Sequence, residues 1–114
     1  MTRRNETFAR DADLAWEPTE EGVARKVLTY GDRAMMVRVR FAAGAVGALH
    51  HHPHIQCSLV ESGLFDITIL GETQRLGPGD SFLVPPDAVH GAVAIEAGIL
   101  VDVFTPMREE FVAD

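Results

Sequence analysis

The chain reads as an all-β protein, a sandwich or small barrel built from short strands. Three observations predict this. Runs of four to eight residues rich in Val, Ile, Leu, Phe and Tyr recur at regular spacing between Gly, Pro and Asp punctuation. No stretch of ten or more residues combines amphipathic-helix periodicity with caps. Ten Gly and six Pro in 114 residues supply many turns without low complexity. That length fits one domain and buries roughly two thirds of its unfolded surface.

The elements follow in order. Residues 1–22 are polar, carry Pro18 and the pair Glu20-Glu21, and read as an N-terminal arm. Phe8 and Trp16 are its large apolar groups and either fold back on the body or on a partner subunit or belong to a loose tail. Residues 23–114 form the single domain. A strand is expected over 23–30, ending at Gly31-Asp32, and another over 35–41, where Arg38 and Arg40 alternate with Val37 and Val39. Residues 44–47 read as a small-residue loop. Strands over 50–56 and 57–60 end at a turn at Ser62-Gly63, and 64–70 ends at Gly71-Glu72. The turn Gly77-Pro78-Gly79-Asp80 precedes a strand over 81–84, stopped by Pro85-Pro86. The last strands are 90–95, turning at Ala97-Gly98, and 99–104, stopped before Pro106. Residues 107–111 have room for one short helical turn.

Ten basic and 17 acidic residues give a net charge of −7. An acidic domain with no Lys/Arg run excludes nucleic acid as a partner, because phosphate contacts need a basic face. No apolar run approaches the ~18 residues of a membrane span. The twin arginine Arg3-Arg4 is followed by Glu6, Arg10, Asp11 and Asp13 where an export signal needs an apolar region, so it is not read as one. The lone Cys57 excludes an internal disulfide and suits a reducing cytoplasm. Its parity is opposite to that of Gln56, and it reads as a small buried apolar group.

Four of the five histidines lie in His50-His51-His52-Pro53-His54, and His90 follows 36 residues later. On a strand, alternate residues share a face, so His50, His52 and Gln56 point one way. His90, opening another strand, closes the group from the opposite wall. Imidazoles and a Gln carbonyl oxygen are neutral ligands suited to one divalent transition metal such as Ni, Zn, Mn or Fe. The alternatives are a solvated polar loop or an expression tag, and a tag would be terminal. His51 has outward parity. His54 follows Pro53, where strand geometry is disturbed, and is placed at the rim.

These motifs resemble the cupins. Residues 44–63 are similar to the first cupin motif (Gly, His-x-His, an acid or Gln, Gly), and residues 79–90 to the second, with Gly79, Pro85 and His90 at family spacing. Asp87 stands where many cupins have Gly, and Ala94 where many have Asn. The resemblance implies a double-stranded β-helix, a small jelly-roll barrel. Within the cupins, HPHIQ, LGPGDSFLVPPDAVHG and LVDVFTPMREEF resemble the KdgF family over residues 35–111. Ile55 departs from the acidic residue often found before the Gln. This resemblance implies a role in pectin and alginate breakdown, the conversion of 4,5-unsaturated monouronates to the linear ketonised form.

That reaction opens a cyclic hemiacetal, removes a proton from the anomeric hydroxyl and protonates C4 of the resulting enol. It needs a Lewis acid, a proton carrier and a cation for the carboxylate. The neutral ligand set favours a Lewis acid over a two-His-one-carboxylate oxygenase centre. Asp102, costly to bury within an apolar run, is the candidate general acid/base; its alternative is a structural hydrogen bond. Phe104, of the same parity, walls the pocket or belongs to the core. Arg108, after Pro106, is the candidate carboxylate binder, against a surface pair with Glu109 or Glu110, with Arg38 or Arg40 as the alternative cation. The competing functions are a metal-dependent oxygenase or lyase on another small acid, or a non-catalytic sugar-binding cupin. Exposed strand edges and the arm predict a homodimer.

Overall fold

The computed structural model describes residues 7–112; Arg3 and Arg4 lie outside them. Eight strands run through the described residues: β1 (Glu17–Glu20), β2 (Val23–Gly31), β3 (Ala34–Phe41), β4 (Val46–His50), β5 (Ile55–Ile69), β6 (Glu72–Leu76), β7 (Ser81–Val84) and β8 (His90–Thr105). The pairings are antiparallel, in the order β1-β2-β3-β8-β5-β6, with β4 also on β8 and β7 also on β5.

The two long strands make the barrel. β5 and β8 pair from Ile55↔Thr105 to Ile69↔His90. The first half of β8 takes β4 on its free edge and the second half takes β3; the first half of β5 takes β7 and the second takes β6. One ribbon thus curls into the double-stranded β-helix.

The turns expected at Ser62-Gly63 and Ala97-Gly98 are instead a bend in this continuous ribbon, with register shifts at Ser62. The glycines are needed for close approach: a Cβ on Gly98 would lie 2.1 Å from the Ser62 carbonyl oxygen, and one on Gly63 2.6 Å from that of Ala97. A glycine that permits backbone contact and one that reverses the chain look alike in sequence. The strand expected over 50–56 is also divided. β4 begins at Val46, inside the expected small-residue loop, and ends at His50; residues 51–54 connect it to β5. β1 and β6 are additional strands, both polar and largely exposed, which no apolar alternation marks.

Inward-facing residues fill two clusters. One joins Val60, Phe65, Ile67, Ala94 and Leu100 with Val23 and Phe41; the other joins Val27, Tyr30, Met35, Val37 and Phe104 with Val112. Phe41 and Phe65 meet edge to face at 5.2 Å. In the N-terminal segment Trp16 lies on the body, beneath Arg40 at 4.4 Å and Lys26 at 4.6 Å, while Phe8 is exposed. Lys26 is buried and its Nζ donates to the carbonyl and carboxylate of Asp11. Met107–Phe111 holds the short 3₁₀ turn Glu109–Phe111. No helix of the described residues is long and apolar enough to cross a membrane.

Cys57 departs from expectation: it is exposed. Its parity is indeed opposite to that of buried Gln56, but the outer face of β5 is open to solvent in this chain, so outward parity does not mean burial.

Candidate active site and metal centre

Sheet register assembles the site. His50 and His90 are direct cross-strand partners on β4 and β8. Gln56 lies opposite Phe104, and Ser58 opposite Asp102, on β5 and β8. These positions alternate inward, so one wall carries Gln56, Ser58, Asp102 and Phe104, all buried. His52 reaches the site from the β4–β5 connection, and strand alternation is not what places it. Its carbonyl accepts a hydrogen bond from the Asp87 amide, which ties this loop to the β7–β8 connection. Asp87 has φ 63°, the left-handed conformation that Gly adopts freely and Asp tolerates.

One ring nitrogen from each of His50, His52 and His90 lies within 4.8 Å of the other two, a group that could hold a metal ion. The Nδ1–H of His50 donates to the Ala48 carbonyl at 2.8 Å, and that of His90 to the Ala88 carbonyl at 2.9 Å. These bonds place the proton on Nδ1 and leave the Nε2 lone pair facing inward. Gln56 is oriented just as firmly. Its Nε2 donates to Ser58 Oγ at 3.0 Å, and Ser58 Oγ donates to Asp102 Oδ1 at 2.6 Å. Its Oε1 is therefore turned to the histidines, 3.2 Å from Nε2 of both His52 and His90.

Oε1 and the His90 Nε2 are both acceptors, so their approach is unfavourable unless a cation lies between them. The donor set thus fits a divalent metal. Burial holds the His52 pKa down to about 4, with the charges of Arg108 and His90 adding and the Gln56 bond opposing. Burial also lowers that of His90, against its Ala88 hydrogen bond. Both shifts favour the neutral ring, the form that metal ligation requires. His51 is exposed, and His54 is half-buried, its ring 5.4 Å from His52 and 6.4 Å from Phe104.

A cavity of about 340 Å³ opens beside this group, lined by His50, Gln56, His90, Asp102, Phe104 and Arg108. Burial raises the Asp102 pKa to about 6, against the opposing effects of Ser58, Arg108 and Gln56. Arg108 both lines the cavity and pairs with Glu110, donating from Nε to Oε2 at 3.1 Å, with Nη2 also 3.1 Å from it. Its guanidinium lies 5.1 Å from the ring of Phe104 and 4.4 Å from that of Phe111. Phe104 is at once pocket wall and core.

Arg38 and Arg40 do not reach the cavity. Arg38 pairs with Asp11 and Glu61 and Arg40 covers Trp16, on the outer side of β3. The second cation on the cavity wall is Arg25, which sequence alone does not single out among the charges of β2. Ser58 shares the parity of Gln56 two places away, but its residue type does not mark it; its pairing opposite Asp102 does. Thr19 and Glu20 of β1 add to the wall.

Residues 37–104 match the cupin domain family. The chain is 40% identical over 103 residues to the pectin degradation protein KdgF of Dickeya dadantii (strain 3937), covering 89% of this chain and 94% of that relative. Two solved structures are similar over nearly their whole length. A RmlC-like cupin from Shewanella frigidimarina NCIMB 400 has a TM-score of 0.92 and 40% identity, covering 95% of this chain and 97% of that one. KdgF from Halomonas sp. has a TM-score of 0.89 and 37% identity, covering 94% of this chain and 99% of that one. The fold, the paired histidine motifs and these likenesses agree: the chain belongs to the cupin family and, within it, to the KdgF group.

Proposed function

We propose that this chain converts 4,5-unsaturated monouronates released from pectin or alginate into the linear ketonised form. One observation carries the reading. A metal-ligand group and a buried carboxylate are joined through Gln56 and Ser58 and face the same cavity as Arg108. The cavity of about 340 Å³ is at the small end of ligand sites, which span roughly 300–1,000 Å³, and suits a monosaccharide better than a polymer. The 40% identity to a pectin degradation protein supports the substrate class.

His50, His52, Gln56 and His90 would hold one divalent cation, with Ni, Zn, Mn and Fe all compatible with the donors. Such an ion supplies Lewis-acid stabilisation of negative charge on a substrate oxygen. The chain's own residues do the rest. Asp102 Oδ1 is occupied by Ser58, which leaves Oδ2 to take the proton of the anomeric hydroxyl. The C1–ring-oxygen bond breaks, C1 becomes an aldehyde, and the bonding electrons stay on the ring oxygen, which remains on C5 as an enolate. Asp102 then returns a proton to C4, and C5 becomes a ketone. Atoms and electrons balance with no oxidant. Arg108 grips the carboxylate and Phe104 shields the reacting carbons from water.

The test is to add the metal-loaded protein to a lyase digest of pectate or alginate. The ultraviolet absorbance of the C4=C5 bond should disappear, with the linear ketone identified by NMR. A digest left unchanged, with the metal site loaded, would refute the assignment.

A further inference from the structure

Arg25 is a half-buried charge that the proposed reaction leaves without a role. It sits on β2 and lines the same cavity as Arg108 and Asp102. Its guanidinium lies 3.8 Å from the centroid of Phe111, whose ring also carries Arg108 at 4.4 Å. One aromatic ring thus gathers two like charges at the cavity. They are not equally compensated. Arg108 is tied through Nε and Nη2 to Glu110. Arg25 has a buried Nε with no hydrogen-bond partner.

An unpaired buried donor beside a like charge is costly unless something else completes it. Burial lowers the Arg25 pKa, with Arg108 adding to this and Glu17 and Glu110 opposing. A ring-stacked guanidinium keeps its hydrogen-bonding edge free, the geometry that accepts a carboxylate in its plane.

Resting on the uronate reading above, we propose that Arg25 binds the substrate carboxylate jointly with Arg108, the two guanidiniums forming a clamp hinged on Phe111. Arg25 presents its guanidinium edge to the cavity, and Arg108 contributes the nitrogen that Glu110 leaves free. The clamp selects acidic sugars over neutral ones. It also explains how a chain of net charge −7 receives an anion, since contact cations outweigh a net charge screened beyond ~8 Å.

The test uses the metal-loaded chain and its Arg25→Gln and Arg25→Lys variants. Turnover of unsaturated monouronate is measured, together with inhibition by the inert probes galacturonate and galactose. In Arg25→Gln, KM should rise about 10- to 100-fold with kcat within about threefold, as for a lost charged hydrogen bond. Galacturonate inhibition should weaken to match, and metal content should be unchanged. Arg25→Lys keeps the charge but loses the fork, and should fall between. A merely structural Arg25 would lower Tm and leave the galacturonate-to-galactose preference intact, and that result overturns the proposal. If Arg25→Gln does not fold, wild-type KM in Arg25→Lys overturns it equally. Should the wild-type chain bind galacturonate through Arg25 yet leave unsaturated uronate unconverted, the clamp stands and the assigned reaction fails.

Discussion

Asp102 and His90 line the same cavity but carry different loads. Asp102→Asn is nearly isosteric and still accepts the Ser58 hydrogen bond, but it cannot take and return a proton. Activity should fall about 10²- to 10⁴-fold with metal content unchanged. The raised pKa also fixes the sign of the stability effect in metal-free protein. The stability lent by this group is full below its ordinary value of 3.8 and lost as pH rises through about 6. Thermal melts at pH 7 should therefore show Asp102→Asn no less stable than wild type. His90→Ala should lose both activity and bound metal, measured by elemental analysis. Metal retained at full occupancy in His90→Ala would displace the site. Most of this cluster is legible in sequence because ligation demands rare residue types at fixed spacing. Arg25 and Ser58 are not, because their types are common and only the register, Ser58↔Asp102 above all, gives them meaning.

At the scale of elements, the strands with one buried face were legible because alternation marks them. β1 and β6 escape because no face of either is apolar. The bend of the β5–β8 ribbon is the element on which the site depends. It lets one pair of strands carry Phe65 and Leu100 into one cluster and Phe104 into the other. Gly98→Ala would force a Cβ to within 2.1 Å of the Ser62 carbonyl oxygen, which backbone movement alone can relieve. Overpacking of this kind costs about 1–3 kcal/mol, a Tm drop of several degrees for a domain this size. Gly71→Ala, with nothing within 4 Å of its Cβ, is the control for loss of the left-handed φ of 82° alone. It should lower Tm less than Gly98→Ala.

For the whole molecule, the expectation of a homodimer gains a different basis from the one that sequence suggested. Met36, Val103, Cys57 and Leu83 are registered side by side across β3, β8, β5 and β7. Met36, Cys57 and Leu83 are exposed, as are Ile55 and Leu59 on the same face of β5. An apolar row across four strands is a larger liability than an unpaired edge, and a second copy of the face would cover it. Light scattering should report a dimer for the wild-type chain and a monomer for Leu59→Glu/Leu83→Glu. A wild-type monomer would show that this face stays uncovered.

The proposed reaction moves protons and breaks a ring bond without oxidation. Turnover of unsaturated monouronate in D₂O, with NMR of the first product and an oxygen electrode in the same vessel, tests it most directly. One solvent deuteron at C4 of the newly formed ketone and no oxygen uptake are expected. Oxygen consumed in step with loss of the C4=C5 absorbance, or a product without deuterium at C4, would contradict it.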